Sequence, residues 1–300
     1  MRVIPCLLLL LTVPLFGQPP PATDGAPEGI RITPLARAFQ PGEVMLVTLT
    51  APPTVDRVAL RVFQQKLPLD PGLGEVPTNW WALVGIDLDT KPGGYLLRFD
   101  LYEQDRIFAR ADHRITVKNK NFPTRRLNLP EKFVTPPKKS LARIKRERRL
   151  VSGIFAEAGS ERHWAGFFLR PVPGRANSSF GKRSILNGKP RSPHSGTDFR
   201  ASRGTPVKSP NAGVAVLARN LYYAGNTVIL DHGQGLYSYF AHLDDFTVKK
   251  GDLVERGDLI GHVGSTGRVT GPHLHWSVRL RKARVDPLSL MEILARFEAS

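Results

Sequence analysis

Three hundred residues allow about two domains, and a hydrophobic content of 41% supplies enough apolar side chains for a sizeable core. The 43 Lys and Arg against 26 Asp and Glu give a formal charge of +17, a balance that suits a polyanion such as nucleic acid, anionic lipid or an acidic cell wall. A single cysteine, Cys6, excludes Cys-based zinc fingers and a disulfide framework, and with no aromatic run of the RNA-recognition kind no nucleic-acid partner is expected.

The chain opens with one positive charge, Arg2, then a short apolar run centred on Leu7 to Leu11, closed by Gly17. Residues 1–17 read as a secretory signal, too short for a spanning helix. Cys6 lies inside the apolar run rather than after it, so a lipid anchor is not expected. Removal of the segment leaves a mature chain without cysteine, which suits an exported protein and excludes thiol catalysis. The alternative is that the segment stays as a membrane anchor; no other stretch is apolar enough to span.

Residues 18–29, rich in Pro, Gly and Ala, read as a flexible lead-in. From 30 to 118 the pattern has period two, as in Arg57 to Phe63, Trp80 to Leu88, Leu97 to Leu101 and Ala109 to Val117. Pro-Gly pairs at 41, 71 and 92 punctuate it. Short strands at this spacing predict an antiparallel, immunoglobulin-like β-sandwich. No catalytic cluster is visible there. His113 reads as a solvated strand residue, and Trp80 and Trp81 as packing groups rather than a ligand platform.

Residues 119–160 read as a charged, Pro-containing linker and then a helix from about Ser140 to Ala158. Leu141, Ile144, Val151, Ile154 and Phe155 fall at three- and four-residue steps; Arg143, Lys145, Arg146, Arg148 and Arg149 take the other face. Phe167 to Arg175 is expected to resume strand and turn. Beyond it come short Gly-bounded strands at Val214–Arg219, Thr227–His232, Tyr237–His242, Leu259–Val263 and His273–Leu280, with a closing helix over Leu288–Phe297. The fold class is therefore mainly β, with an antiparallel β-domain over 161–300.

Two stretches there hold the groups that bind metals. His273 and His275 sit two apart in a strand pattern, so both imidazoles face one side while Leu274 and Trp276 take the other. His194 and Asp198 lie four apart in a Gly-containing segment that bends from loop into strand. Imidazole nitrogen and carboxylate oxygen are zinc donors, and a catalytic zinc keeps three of them and leaves a corner open. His194, Asp198 and one histidine of the pair are the candidate ligands.

The blocks around these residues carry a resemblance. Gly196-Thr197-Asp198-Phe199, Gly204-Thr205-Pro206-Val207, Asn226 to Gly233, Tyr239-Phe240-Ala241-His242-Leu243, Gly251-Asp252-Leu253-Val254, Gly261 to Gly267 and Gly271-Pro272-His273-Leu274-His275 follow one another in the order and spacing of the M23 family. That family comprises the lysostaphin/LytM-type zinc metallopeptidases; the resemblance runs from about Asn177 to Pro287. It implies one zinc ion per chain held by His194, Asp198 and His275, with His242 and His273 unligated and acting on water and the transition state. Ser179-Phe180-Gly181-Lys182-Arg183 resembles the FGxR opening of such domains. Arg183 is a candidate for a bidentate fork on a substrate carboxylate, its alternative being an ordinary loop charge. Asn226 is a second candidate for substrate binding, holding the site from a neighbouring strand. His232, His262 and His163 read as structural or without a role.

The resemblance implies an exported zinc metalloendopeptidase, periplasmic or extracellular and cell-wall associated, that hydrolyses peptide cross-links of peptidoglycan with a zinc-activated water. Its partners are peptidoglycan peptide stems, with a regulatory partner, if any, reached through the N-terminal domain or the linker helix. One alternative is a non-catalytic LytM-like regulator that activates a cell-wall amidase; the full set of polar residues argues against it. Another is a polyanion-binding adhesin in which the sandwich does the work.

Overall fold

The computed structural model describes residues 27–72, 78–177 and 179–298. The signal segment 1–17, Cys6 and most of the lead-in 18–29 lie outside the described residues. No helix among the described residues is long and apolar enough to cross a membrane.

The N-terminal half holds β1 (Arg31–Ala36), β2 (Val44–Thr50), β3 (Arg57–Val62), β4 (Gln65–Pro68), β5 (Asp70–Pro71), β6 (Asn79–Gly85), β7 (Gly93–Glu103) and β8 (Arg106–Val117). They make two four-stranded antiparallel sheets, ordered β1-β2-β6-β5 and β4-β3-β7-β8. Met45, Val47 and Leu49 of β2 and Trp80, Ala82 and Val84 of β6 meet Val58, Leu60, Leu97 and Phe99 of the other sheet in one core. The alternate residues Val44, Leu46 and Leu83 turn the opposite way into a second core, shared with the C-terminal half. The β1-β2-β6-β5 sheet is thus covered on both faces, which is why Val44-Met45-Leu46-Val47 is an unbroken apolar run rather than an alternating one. His113 departs from its expected solvated position: it is 5% exposed, and burial lowers its pKa.

The stretch expected as linker contributes structure. β9 (Thr124–Leu127) pairs in parallel with β10 (Arg183–Leu186), which pairs with β11 (Lys189–Pro190). After the single turn α1 (Glu131–Val134), helix α2 (Leu141–Ala156) carries its apolar stripe onto the C-terminal half. Val151, Ile154 and Phe155 pack on Leu217, Leu221, Ile229 and Tyr237. Arg143 pairs with Glu147 at 2.6 Å, and Glu147 accepts the Tyr222 N–H at 2.8 Å. Lys145, Arg146, Arg148 and Arg149 face solvent. The strand expected within 167–175 does not form. Pro171 and Pro173 lack the N–H that a ladder needs, and the segment instead buries Phe168 and Val172 in the shared core.

The C-terminal half is a nine-stranded sheet. Its strands are β12 (Thr197–Phe199), β13 (Pro206–Lys208), β14 (Gly213–Leu221), β15 (Gly225–Gly233), β16 (Leu236–Phe246), β17 (Leu253–Val254), β18 (Leu259–Val263), β19 (Leu274–Leu280) and β20 (Ala283–Val285). The central order is β12-β19-β16-β15-β14-β17, with β18 bridging β13 and β16 and β20 beside β19. Helix α3 (Pro287–Glu298) closes the chain and buries Leu290, Ile293 and Leu294 against Val44, Leu46 and Leu83. Its Ser289 hydroxyl accepts the Val44 N–H at 2.9 Å.

Polar contacts reinforce the seam between the halves. Arg284 forks onto Asp87 at 2.6 and 3.0 Å and reaches Asp89 at 2.7 Å. Arg37 bridges Glu43 and Asp286, each at 2.9 Å. Burial would raise the Glu43 and Asp87 carboxyls, but hydrogen bonds from Arg37, Lys120 and Arg284 outweigh it and hold both below the usual range.

Candidate metal centre and its cleft

The centre is built where three chain segments meet. In the β12–β19 pairing Asp198 stands directly opposite His275, with Thr197 opposite Trp276 and Phe199 opposite Leu274. Thr197, Phe199, Leu274 and Trp276 are fully buried. Strand alternation therefore turns Asp198 and His275 together to the other face. Gly196 makes this approach feasible, because a Cβ there would lie 2.6 Å from the Trp276 carbonyl and 2.7 Å from the His275 ring.

His194 comes from the loop ahead of β12. The turn at 179–182 holds it: the Ser179 carbonyl accepts from its Nδ1 at 3.0 Å, and the His194 N–H donates to the Lys182 carbonyl at 2.9 Å. The Ser179 hydroxyl also accepts the Asp198 N–H at 3.3 Å. One serine thus orients two of the three candidate ligands, and with Nδ1 committed as donor, Nε2 of His194 carries the free lone pair.

The ligand atoms of His194, Asp198 and His275 all lie within 4.8 Å of one another. Asp198 Oδ1 is 3.1 Å from His194 Nε2 and 2.9 Å from His275 Nδ1. Burial would raise the Asp198 carboxyl, but its two imidazole partners outweigh that and hold it far below the usual range. Burial lowers the His275 imidazole. Two ring nitrogens and a carboxylate oxygen turned toward one point, with the cleft on their open side, fit a borderline divalent cation.

His273 and His242 border the cluster. His273 Nε2 is 3.9 Å from Asp198 Oδ1, and its Nδ1 donates to the Gly271 carbonyl at 2.9 Å. His242 sits where β16 changes partner: Ala241 pairs with His275 of β19, whereas Leu243 pairs with Val263 of β18. An irregularity in the β15–β16 register falls at this point, and His242 takes φ +64°. A bulge with left-handed backbone re-aims a side chain that regular alternation would send elsewhere. Its Nδ1 donates to the Thr266 carbonyl at 3.0 Å, leaving Nε2 free. The rings of His242 and His273 lie 5.0 Å apart. Burial, with a smaller contribution from His275, pushes His242 down to about 4, so it stands neutral at ordinary pH.

An open cleft lies over His194, His242 and His275, walled by Tyr223, Tyr239 and Arg268 and by Val151 and Phe155 of α2. Its lining includes neither Arg183 nor Asn226. Arg183 is exposed on β10. Both ends of the Asn226 amide are engaged, donating to the Asp244 carbonyl at 2.8 Å and accepting from Asn220 at 2.9 Å. The Asn226 N–H donates to the Thr266 hydroxyl at 2.8 Å. Asn226 therefore braces the loop whose carbonyl orients His242.

His232 is fully buried, donating to the Ala212 carbonyl and facing the Ser238 hydroxyl at 2.9 Å; Ser238 in turn accepts from Trp276 at 3.1 Å. His262 pairs with Asp245, and His163 lies near Glu161. Sequence reasoning misses Ser179 and Thr266, whose carbonyls fix two imidazole tautomers, and Arg279, a half-buried cation in the cleft lining. The one signal for Ser179 is its place in the opening turn of the domain.

Residues 192–287 match the model of Peptidase family M23. A Pseudomonas aeruginosa protein solved as a candidate M23 peptidase is 34% identical, with a TM-score of 0.64; the match covers 87% of this chain and 97% of that one. Peptidoglycan DD-endopeptidase ShyA of Vibrio cholerae is 44% identical over 115 residues, 38% of this chain and 27% of ShyA. The DD-carboxypeptidase/endopeptidase Mpg of Neisseria meningitidis is 39% identical over 126 residues, 42% of this chain and 29% of Mpg. The chain thus spans under a third of the length of these curated relatives.

Proposed function

This chain belongs to peptidase family M23, and from that premise we propose that it is a zinc metalloendopeptidase hydrolysing the peptide cross-links of bacterial peptidoglycan. The observation that carries the reading is the convergence of His194, Asp198 and His275 within 4.8 Å under an open cleft, flanked by two further imidazoles with free nitrogens. The choice of substrate draws on the names of ShyA and Mpg. The net charge of +17 suits an acidic polymer.

His194, Asp198 and His275 would hold the zinc, which when bound supplies a Lewis acid that acidifies water and polarises a carbonyl. His242, neutral and with its tautomer fixed by the Thr266 carbonyl, takes a proton at Nε2 from the attacking water. His273, whose Nδ1 donates to the Gly271 carbonyl, donates from Nε2 to the oxyanion developing on the scissile carbonyl when that nitrogen also carries a proton, and His242 passes the proton it has taken to the departing amine. Burial of the cluster floor keeps these dipoles in place before substrate arrives.

In the same reading, residues 1–17 direct export to the periplasm or beyond, 30–118 form an immunoglobulin-like module and 119–160 its linker and basic helix. Residues 161–300 are the peptidase unit. Arg183, exposed on β10, is a solvent-screened charge.

The test is digestion of purified wall fragments by the full mature chain, with products weighed by mass spectrometry. Peptide-bond cleavage that is lost in Asp198→Ala, lost on chelation and restored by zinc is expected. Release of no peptide, together with stimulation of an added amidase, would overturn the enzyme reading in favour of the regulator.

A further inference from the structure

Strand β19 turns His275, Ser277 and Arg279 to one face at two-residue steps, and all three line the cleft. Arg268, also in the cleft lining, is exposed, whereas Arg279 is partly buried. Its Nε is buried with no hydrogen-bond partner. Among the described residues its guanidinium has no carboxylate at ion-pair distance; the nearby Asp87 is taken by Arg284. The Phe155 ring lies 5.3 Å from the guanidinium carbon. Burial, with the Arg284 charge behind it, pulls the group down to about 10, yet it stays protonated at neutral pH. Folding rarely leaves such a cation without a counter-ion. The open side of this one faces the cleft.

We propose that Arg279 is the specificity residue that receives a carboxylate of the bound peptide, in the part of the cleft walled by α2. The reading rests on the proposed peptidase function and deepens it. Arg279 lies four positions beyond His275, roughly 13 Å along β19. An extended peptide advances about 3.3–3.6 Å per residue. The recognised carboxylate therefore lies three to four residues from the bond placed over the metal centre. Val151 and Phe155 of α2 wall the cleft, and Phe155 lies against Arg279, so a chain extended past the metal centre meets helix α2 beside this arginine. That favours a terminal carboxylate over a side-chain one. A guanidinium offers a planar fork that matches a carboxylate in two parallel hydrogen bonds, and desolvation by Phe155 makes that pair stronger than it would be on the rim.

The experiment uses the full mature chain and synthetic stem peptides in three forms: free carboxylates, C-terminal amide, and side-chain amide. The parent protein should prefer the free form over the C-terminal amide by roughly ten- to a hundred-fold in kcat/KM, the size of a charged hydrogen bond. Preference read instead against the side-chain amide would move the recognised group to the side chain and overturn the terminal assignment. In Arg279→Met the ratio should collapse to near unity, and Arg279→Lys should keep part of it. The Met variant should melt no lower than the parent, since the unpaired charge is gone and the stem still packs on Phe155. An unchanged ratio in Arg279→Met would overturn the assignment. Calorimetric binding of the same peptides to metal-free protein gives the discrimination without cleavage. A parent that binds selectively but cuts nothing would sink the peptidase reading while leaving Arg279 in place.

Discussion

Gly196 carries no side chain because none fits between two strands that must touch. A Cβ at that position meets the Trp276 carbonyl and the His275 ring, both under 3 Å away. Gly196→Ala should prise β12 from β19 and part Asp198 from His275, at a cost of about 1–3 kcal/mol in stability. Metal titration should show at least a ten-fold weaker site; unchanged affinity would mean that the strand pair is not what sets the ligand spacing. The ligand types themselves are legible in the chain, because i, i+2 spacing in a strand and a short i, i+4 bend are local facts. The orienting acceptors are not. Ser179, Thr266 and Gly271 act through main-chain carbonyls, which every residue has, so composition carries no mark of them. The lack of a partner at Arg279 is likewise a property of three dimensions. Arg183, singled out by its place in a motif, sits outside the cleft lining.

At the scale of elements, the buried chain His232–Ser238–Trp276 ties β15, β16 and β19 together behind the centre. Burial pushes His232 down to about 4, against about 6.5 for an unfolded histidine. Between these values the unfolded chain binds the extra proton, so stability falls as pH drops from about 6.5 to 4, by at most roughly 3 kcal/mol. Melting temperatures across that window should decline in the parent and decline less steeply in His232→Gln, the remaining slope belonging to His242, His275 and His113, which burial also lowers. An unchanged slope after the substitution would take His232 out of the effect. The periodicities place the expected strands at 57–63, 214–219, 227–232, 259–263 and 273–280 within two residues, and helix α2 (141–156) falls inside the expected 140–158. They fail where partners are remote. Thr124–Leu127 reads as linker because its ladder partner, β10, lies far along the chain. The segment after Phe167 looks strand-like from its apolar residues, but its prolines withhold the ladder donors. The unbroken run Val44 to Val47 is the available sign of a sheet buried on both faces, which a two-sheet sandwich alone does not require.

At the scale of the molecule, the two halves share a core as well as a chain. Arg37 links Glu43, which is 2% exposed, to Asp286, and Asp286 accepts the Thr197 hydroxyl at 3.1 Å. Thr197 precedes the candidate ligand Asp198. Arg37→Ala should cost about 2 kcal/mol, because Glu43 keeps Lys120 but Asp286 loses its charged partner in a poorly solvated place. Calorimetry should still show one transition, shifted down; two separated transitions would mean the seam does not couple the halves. A truncated protein begun at residue 161 would strip Val44, Leu46 and Leu83 from α3 and bare a greasy flank to water, inviting clumping. The C-terminal half is therefore less a detachable blade than one side of a hinge-less clasp, whose other side must be purified with it.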